Sequence, residues 1–316
     1  MVSGSDRRKD ALLTLAAHLR QGGYRFVTPT PATHARVNAR LGNDQAHDLA
    51  GVFGWSRPFT PGLLDPRIAE LMEKAAILAR DEAGQLRSTL RLSSLDDMLF
   101  WHSAHPTTGA DAVFFGPDTY RFASAIAAML PGLNGPVRRV ADIGCGAGPG
   151  GILAGKAFPQ ADVLMIDIND AALALAQVNA ELAGVQRARA VQSDLLSATE
   201  GDFDLIVSNP PYLNDPLVRA YRHGGGRHGE ALSLKILDAS LERLAPGGTL
   251  LLYTGVAILD GLDPFEEGAR AKLRGESFVS AYREIDPDVF GEELEAAGYA
   301  GADRIAAVAL TVTRMT

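Results

Sequence analysis

The residues best suited to chemistry are Asn209, Pro210, Pro211 and Tyr212, which follow directly after the apolar run Phe203-Asp204-Leu205-Ile206-Val207 and Ser208. Two consecutive prolines fix the backbone and remove the N–H from both positions. What remains is a set of acceptors, the Asn209 side-chain oxygen and the Pro210 carbonyl, with the aromatic face of Tyr212 alongside. Two acceptors suit an –NH2 group, which offers two donors. In an amide or a nucleobase amine the nitrogen lone pair is tied up in conjugation. Acceptors on its hydrogens pull the nitrogen toward tetrahedral geometry and stabilise the positive charge that develops as it attacks an electrophile. The work asked of these residues is therefore alignment and charge stabilisation. A rigid proline turn with no chemistry is the plainer alternative.

A second group lies upstream, where Val140-Ala141-Asp142-Ile143 leads into Gly144-Cys145-Gly146-Ala147-Gly148-Pro149-Gly150-Gly151. A strand running into so many glycines lets backbone N–H groups approach a ligand closely before a helix opens. Gly146, Gly148 and Gly151 also satisfy G-x-G-x-x-G, which keeps a nicotinamide dehydrogenase open as a reading. Asp142 argues against it. A carboxylate two residues before the first glycine would repel a pyrophosphate, but it can hold the amino group and water around a methionine tail. Asp167 ends the next apolar run, where a carboxylate accepts from ribose hydroxyls. Asp194 follows the third run, placed to accept from an adenine amino group while Leu195 flanks the ring. The three acids together favour a nucleoside with a methionine tail over a dinucleotide.

These residues need a scaffold that brings strand ends together, and the pattern after Tyr120 supplies one. Strands are expected at Arg139–Ile143, Asp162–Ile166, Ala188–Val191, Phe203–Val207 and Thr249–Thr254. Helices are expected at Gly151–Phe158, Asp170–Ala183 (capped by Asp170 and ended by Gly184) and Ala231–Leu244. Such alternation marks a doubly wound parallel sheet. Further on, a helix is expected at Asp286–Ala297 with Asp286 as its cap, and a strand at Ala306–Thr313. The N-terminal part reads differently. Helices are expected at Asp10–Gln21, Ala32–Leu41 and Asp65–Asp81, with a Gly/Pro-rich passage from Gly51 to Pro66 before the last. Alternation through Leu86–Leu92 and a second run at Met98–His102 then predict a β-hairpin, with Met98–Trp101 as core. The chain thus divides at residues 1–119 and 120–316, the first part serving substrate recognition or else packing and dimerisation.

Composition narrows the field. The chain has 316 residues, a formal net charge of −8, 47% hydrophobic residues and one cysteine, Cys145. A lone cysteine excludes an intramolecular disulfide, and His102 and His105 have no thiol or paired acid near them, so no metal is expected. The acidic balance leans against a broad grip on nucleic acid. Met1–Asp10 lacks the apolar stretch of a signal peptide, and the apolar run Leu250–Leu259 is half of the roughly 20 residues a membrane-spanning helix needs. A cytoplasmic setting without membrane partners is the expectation.

Residues 137–256 resemble the class I S-adenosylmethionine-dependent methyltransferases whose fourth motif is Asn-Pro-Pro-Tyr. That grouping includes the glutamine methyltransferases of translation release factors and small-domain enzymes acting on exocyclic amines of RNA or DNA. The resemblance implies a Rossmann-like α/β fold, a seven-stranded mostly parallel sheet with helices on both faces, here joined to a smaller, mainly helical N-terminal region with its hairpin. It implies that Asp142, Gly144, Cys145, Gly146, Gly148, Asp167, Ile168, Asp194, Leu195 and Asn209 surround the cofactor. It further implies that Asn209, Pro210, Pro211 and Tyr212 receive the target nitrogen, in a protein, an RNA or DNA base, or a small amine. Phe114–Tyr120 stands where release-factor enzymes carry a proline- and glutamate-containing segment, and it lacks the glutamate. A non-catalytic cofactor-binding regulator is the contrasting reading. The glycine-rich stretch from Arg219 to Glu230 is expected to be either a lid over the acceptor or a solvated loop.

Overall fold

The computed structural model describes residues 4–80, 84–133, 135–214, 222–275 and 277–316. Helix α1 (Gly4–Gln21) buries Leu12, Leu15, Ala16 and Leu19 and stops at Gly22 and Gly23, the latter at φ +76°. It begins before the expected Asp10, with Asp6 in its first turn where an acid complements the helix dipole. Helix α2 (Pro31–Asn38) is capped by Thr30 and α3 (Leu49–Phe53) by Asp48. Part of α3 thus falls inside the passage expected to be loop. Helix α4 (Pro66–Lys74) has the expected Asp65 cap. It ends well short of Asp81, because Ala76 turns left-handed at φ 51° and the chain leaves as strand β1 (Leu78–Arg80). That strand pairs antiparallel with β2 (Leu86–Ser88). The expected continuous strand Leu86–Leu92 is divided at Thr89, where the chain changes partner: its N–H donates to the Ile77 carbonyl beside β1, and its carbonyl accepts the Ala104 N–H. The hairpin of β3 (Leu90–Leu95) and β4 (Met98–Ser103) follows, with Met98–Trp101 buried.

After helix α5 (Pro117–Met129) the alternation holds: β5 (Arg139–Ile143), α6 (Pro149–Ala157), β6 (Asp162–Asp167), α7 (Asp170–Ala183), β7 (Ala188–Gln192), β8 (Phe203–Ser208), α8 (Ala231–Arg243) and β9 (Leu244–Ile258). Helix α9 (Pro264–Lys272) and strands β10 (Phe278–Asp286) and β11 (Arg304–Arg314) complete the chain. Seven strands form one sheet in the order β10-β11-β9-β8-β5-β6-β7, with β5 to β9 parallel and β11 antiparallel to both its neighbours. This is the mostly parallel, Rossmann-like sheet expected. Side chains alternate between its faces, as a period of two requires. Val140, Val163, Met165, Leu205 and Val207 pack into one core, while Ala141, Leu164, Ile166, Ile206 and Leu250 pack into the other.

Three further expectations are corrected. The cap of α7 is Asn169, whose Oδ1 accepts the Ala171 N–H at 2.9 Å, and not Asp170. Strand β9 is far longer than Thr249–Thr254, because β11 pairs with it from Thr249 to Ile258. No helix spans Asp286–Ala297. Asp286 ends β10 and its carboxylate pairs with Arg121 at 2.8 Å, while Phe290 at φ 53° prevents helical propagation. Short 3-10 turns occupy Gly291–Glu295 and Ala297–Tyr299 instead. No helix among the described residues is long and apolar enough to cross a membrane.

The N-terminal hairpin is tied to the sheet through Asn179 of α7, which is fully buried. Its Oδ1 accepts the Trp101 N–H at 2.8 Å, and its amide nitrogen donates to the carbonyls of Trp101 at 3.0 Å and Ala147 at 2.9 Å. A buried amide satisfied in this way fixes strand β4 against the glycine loop after β5.

Candidate active site

Parallel pairing aligns the strand ends. Ile143 lies opposite Ile166 on one side and Ser208 on the other, and Asp167 lies opposite Gln192. The Ser208 hydroxyl donates to the Ile143 carbonyl at 2.7 Å, pinning the end of β8 to the end of β5. Asn209, Gly144, Asp167 and Ser193 therefore emerge side by side at the carboxyl edge, where open α/β sheets bind ligands. They surround a cavity of about 220 Å³.

One half of the cavity is built on the glycine loop. Gly144 and Gly146 have φ of +67° and +53°, and a Cβ at either would meet nothing within 4 Å. Their left-handed backbone favours glycine, and the absent side chains leave the cavity open. Gly148 differs from the other expected cofactor residues, since it does not line the cavity. At φ +85° it starts α6, and a Cβ there would lie 3.0 Å from the Met165 sulfur, so its smallness serves packing on the sheet. Asp167 accepts the N–H groups of Gly146 at 2.9 Å and Asn169 at 3.0 Å, which fixes its carboxylate at the end of β6. Burial pushes its pKa up. Ile168 beside it is exposed and lines the cavity, as do Asp194 and Leu195, the latter held left-handed at φ 52°. Asp142 is 1% exposed and accepts the Gly151 N–H at 2.7 Å. Burial pushes its pKa up to about 7. Cys145 is buried, and burial pushes its thiol up, which disfavours the thiolate a nucleophile would need.

The other half holds the acceptor set. Asn209 is half-buried, and its side chain makes no hydrogen bond to any described residue. No described backbone N–H outside the helices and strands reaches the Pro210 carbonyl. Neither acceptor has a hydrogen-bond partner among the described residues. Tyr212 is not a free stacking surface. It is 6% exposed, and its ring lies where Gly255 has no side chain, a Cβ there being only 2.1 Å from Tyr212 Cε2. Its hydroxyl donates to Asp118, which also accepts from the Tyr253 hydroxyl at 3.0 Å and from Arg121 at 3.2 Å. Burial pushes the Asp118 pKa up, opposed by these donors. Asp118→Ala removes the shared acceptor of three buried or half-buried donors. It is expected to destabilise the fold by about 3 kcal/mol, the scale for stranding a buried charged partner, as read from urea unfolding.

Asp118, Tyr253 and Phe290 did not stand out in the sequence as site residues, although Asp118 and Phe290 line the cavity and Tyr253 joins Asp118. For Asp118 a faint signal existed in Pro117, which reads as a first helical position with an acid after it. Of the stretch expected to form a lid or loop, Arg219, Ala220 and Tyr221 lie outside the described residues. From Arg222 on the chain is bonded. Its Arg222 carbonyl accepts the Leu213 N–H at 3.0 Å, Gly224 N–H donates to Leu213 at 2.9 Å, and the Arg222 side chain pairs with Glu293. His102 is buried and stacks on Phe115. Among the described residues no three His, Cys, Asp or Glu side chains gather as a metal site.

Residues 115–256 match the family described as the methyltransferase small domain. The release factor glutamine methyltransferase of Deinococcus radiodurans is 30% identical over 238 residues, covering 71% of this chain and 80% of that protein. The ribosomal RNA small subunit methyltransferase C of Pasteurella multocida is 42% identical over 124 residues, but these cover 39% of this chain and 34% of that protein. Among solved structures, a Pyrococcus horikoshii protein described as a transferase superposes with a TM-score of 0.50 at 15% identity. The overlap covers 79% of this chain and 83% of that one, a likeness of fold.

Proposed function

The chain belongs to the S-adenosylmethionine-dependent methyltransferases that carry the methyltransferase small domain, and on that premise we propose that it methylates the side-chain nitrogen of a glutamine in a protein acceptor. The observation that carries this reading is the pair of unclaimed acceptors, the Asn209 side chain and the Pro210 carbonyl, beside the glycine cradle. A carboxamide –NH2 has one hydrogen for each. The net charge of −8 favours a protein acceptor over a nucleic acid, and the extent of the Deinococcus match favours the protein-glutamine enzymes over the ribosomal RNA enzyme, whose match is confined to a third of its length.

The residues present fit the cofactor. Gly144 and Gly146 leave room for its methionine portion, the Asp167 carboxylate is held rigid for ribose hydroxyls, and Ile168 and Leu195 offer apolar contact to adenine. Once bound, S-adenosylmethionine supplies an electrophilic methyl group on a positively charged sulfur. The protein's own part is placement. Asn209 Oδ1 and the Pro210 carbonyl hold the two amide hydrogens, turn the nitrogen lone pair out of conjugation and stabilise charge on that nitrogen. The buried Tyr212 ring supplies a wall that excludes water.

The test is tritiated-methyl transfer from S-adenosylmethionine to two purified acceptors, a translation release factor and naked small-subunit ribosomal RNA. Label on a release-factor glutamine is the expected result. Label on the RNA alone, or on neither, would sink the glutamine assignment.

A further inference from the structure

Phe290 sits in a backbone conformation that a bulky L residue rarely takes, φ 53° and ψ 41°. The next residue is Gly291, which could have taken that conformation without strain, so the turn is made at the costlier position. Non-glycine residues held left-handed cluster at binding sites, and Phe290 lines the same cavity as Asn209. Its ring meets the Tyr212 ring edge-on, at 6.0 Å between centroids and 69° between planes.

The turn is anchored on both sides. After Phe290, Glu293 pairs with Arg222. Before it, Asp286 accepts from Arg121 at 2.8 Å and its other oxygen accepts the Asp288 N–H at 3.2 Å. Arg121 also reaches Asp118, which holds the Tyr212 hydroxyl. The contacts close into a ring: Tyr212, Asp118, Arg121, Asp286, the turn, Phe290, and back to Tyr212. Tyr212 is held through its hydroxyl on Asp118, and the turn that carries Phe290 is held by the Asp286–Arg121 and Glu293–Arg222 pairs.

We infer that Phe290 is the specificity-determining wall of the acceptor side of the cavity, and that Arg121, bridging Asp118 and Asp286, positions it. The inference rests on the glutamine reading for the identity of the acceptor. A phenyl ring in the cavity that Asn209 and Pro210 line, seated against Tyr212, takes up space there, which admits a slim carboxamide and hinders a fused purine ring.

Two substitutions separate strain from specificity. Phe290→Ala loses the ring and keeps the strain, whereas Phe290→Gly loses both. Phe290→Gly should melt at a higher temperature than Phe290→Ala, and the reverse order would overturn the strain argument and the inference with it. On the release factor, Phe290→Gly should lose at least tenfold in kcat/KM, mostly through KM, with the Kd for S-adenosylhomocysteine within twofold of wild type. Arg121→Gln should reproduce that KM rise, and Arg121→Lys should restore part of it. Wild-type kcat/KM in Phe290→Gly would overturn the specificity role, and wild-type KM in Arg121→Gln the positioning role. If the wild-type protein labels the RNA instead, the glutamine reading fails, and Phe290→Gly must then raise kcat/KM on the RNA or the wall is rejected. If the wild type labels neither acceptor, the glutamine reading fails and the specificity role of Phe290, which rests on it, is rejected with it, the melting order then speaking only to the strain.

Discussion

Asn209→Ala is expected to lower turnover by about 10²–10³-fold, the scale seen when one preorganised polar partner of a transition state is removed. Two observations set the size. The Asn209 side chain makes no bond to any described residue, so its removal strands no protein group, and the fold should stay intact. It also follows directly on a strand end pinned to its neighbour by the Ser208 hydroxyl, so the backbone that carries Asn209 does not need to be organised during reaction. An acceptor fixed in advance interacts with the amide hydrogens most strongly as charge builds on the nitrogen. The loss should therefore fall on the chemical step and not on acceptor binding. Single-turnover rates at saturating acceptor read that step directly. Cofactor affinity should fall modestly, because Asn209 lines the same cavity as Gly144, Gly146 and Asp167. A variant that transfers methyl at the wild-type single-turnover rate would leave the acceptor mechanism without its main support.

What the sequence reveals depends on how local the cause is. Strands β5, β6 and β8 are short, mainly apolar runs that end at or beside an acid or a polar turn, and both their faces are covered, so apolar residues dominate them without strict alternation. Their ends carry Asp142, Asp167 and Asn209, and the register alone brings these together. Strand β10 is hidden for the opposite reason. It lies at the edge of the sheet and is largely exposed, so no apolar pattern marks it. Its junction with the following turn was open to misreading as a capped helix, because Asp286 and Pro287 make a good cap when considered without Arg121. Asp118 illustrates a different limit. Its partners Tyr212 and Tyr253 lie 94 and 135 residues away, and only the closed fold shows that this acid is a buried hub. The left-handed conformation of Phe290 has no signature at all in its neighbours, since the adjacent glycine points to the wrong position for the turn.

The carboxyl of Asp142 is expected to give two opposite pH dependences from one group. Burial raises its folded pKa from 3.8 to about 7. An acid whose pKa is raised on folding contributes stability that is fully present below its unfolded value, near 3.8, and is lost as pH rises through about 7. At about 1.4 kcal/mol per unit, the loss across that window is on the order of 4 kcal/mol. Without ligand, the protein should therefore unfold more readily at pH 7 than at pH 5, and Asp142→Asn should flatten that slope. Cofactor binding should run the other way. If Asp142 holds the positively charged amino group of S-adenosylmethionine, only its ionised form binds well, and that form becomes about tenfold rarer with each unit below pH 7. Affinity should fall about fiftyfold from pH 7, where half the carboxyl is ionised, to pH 5, with close to one proton released on binding at the acid end. Calorimetric titration in two buffers of different ionisation enthalpy measures both quantities. A flat affinity between pH 7 and pH 5 would show that Asp142 serves only the Gly151 N–H it accepts at 2.7 Å, as a brace for the start of α6 with no contact to the cofactor.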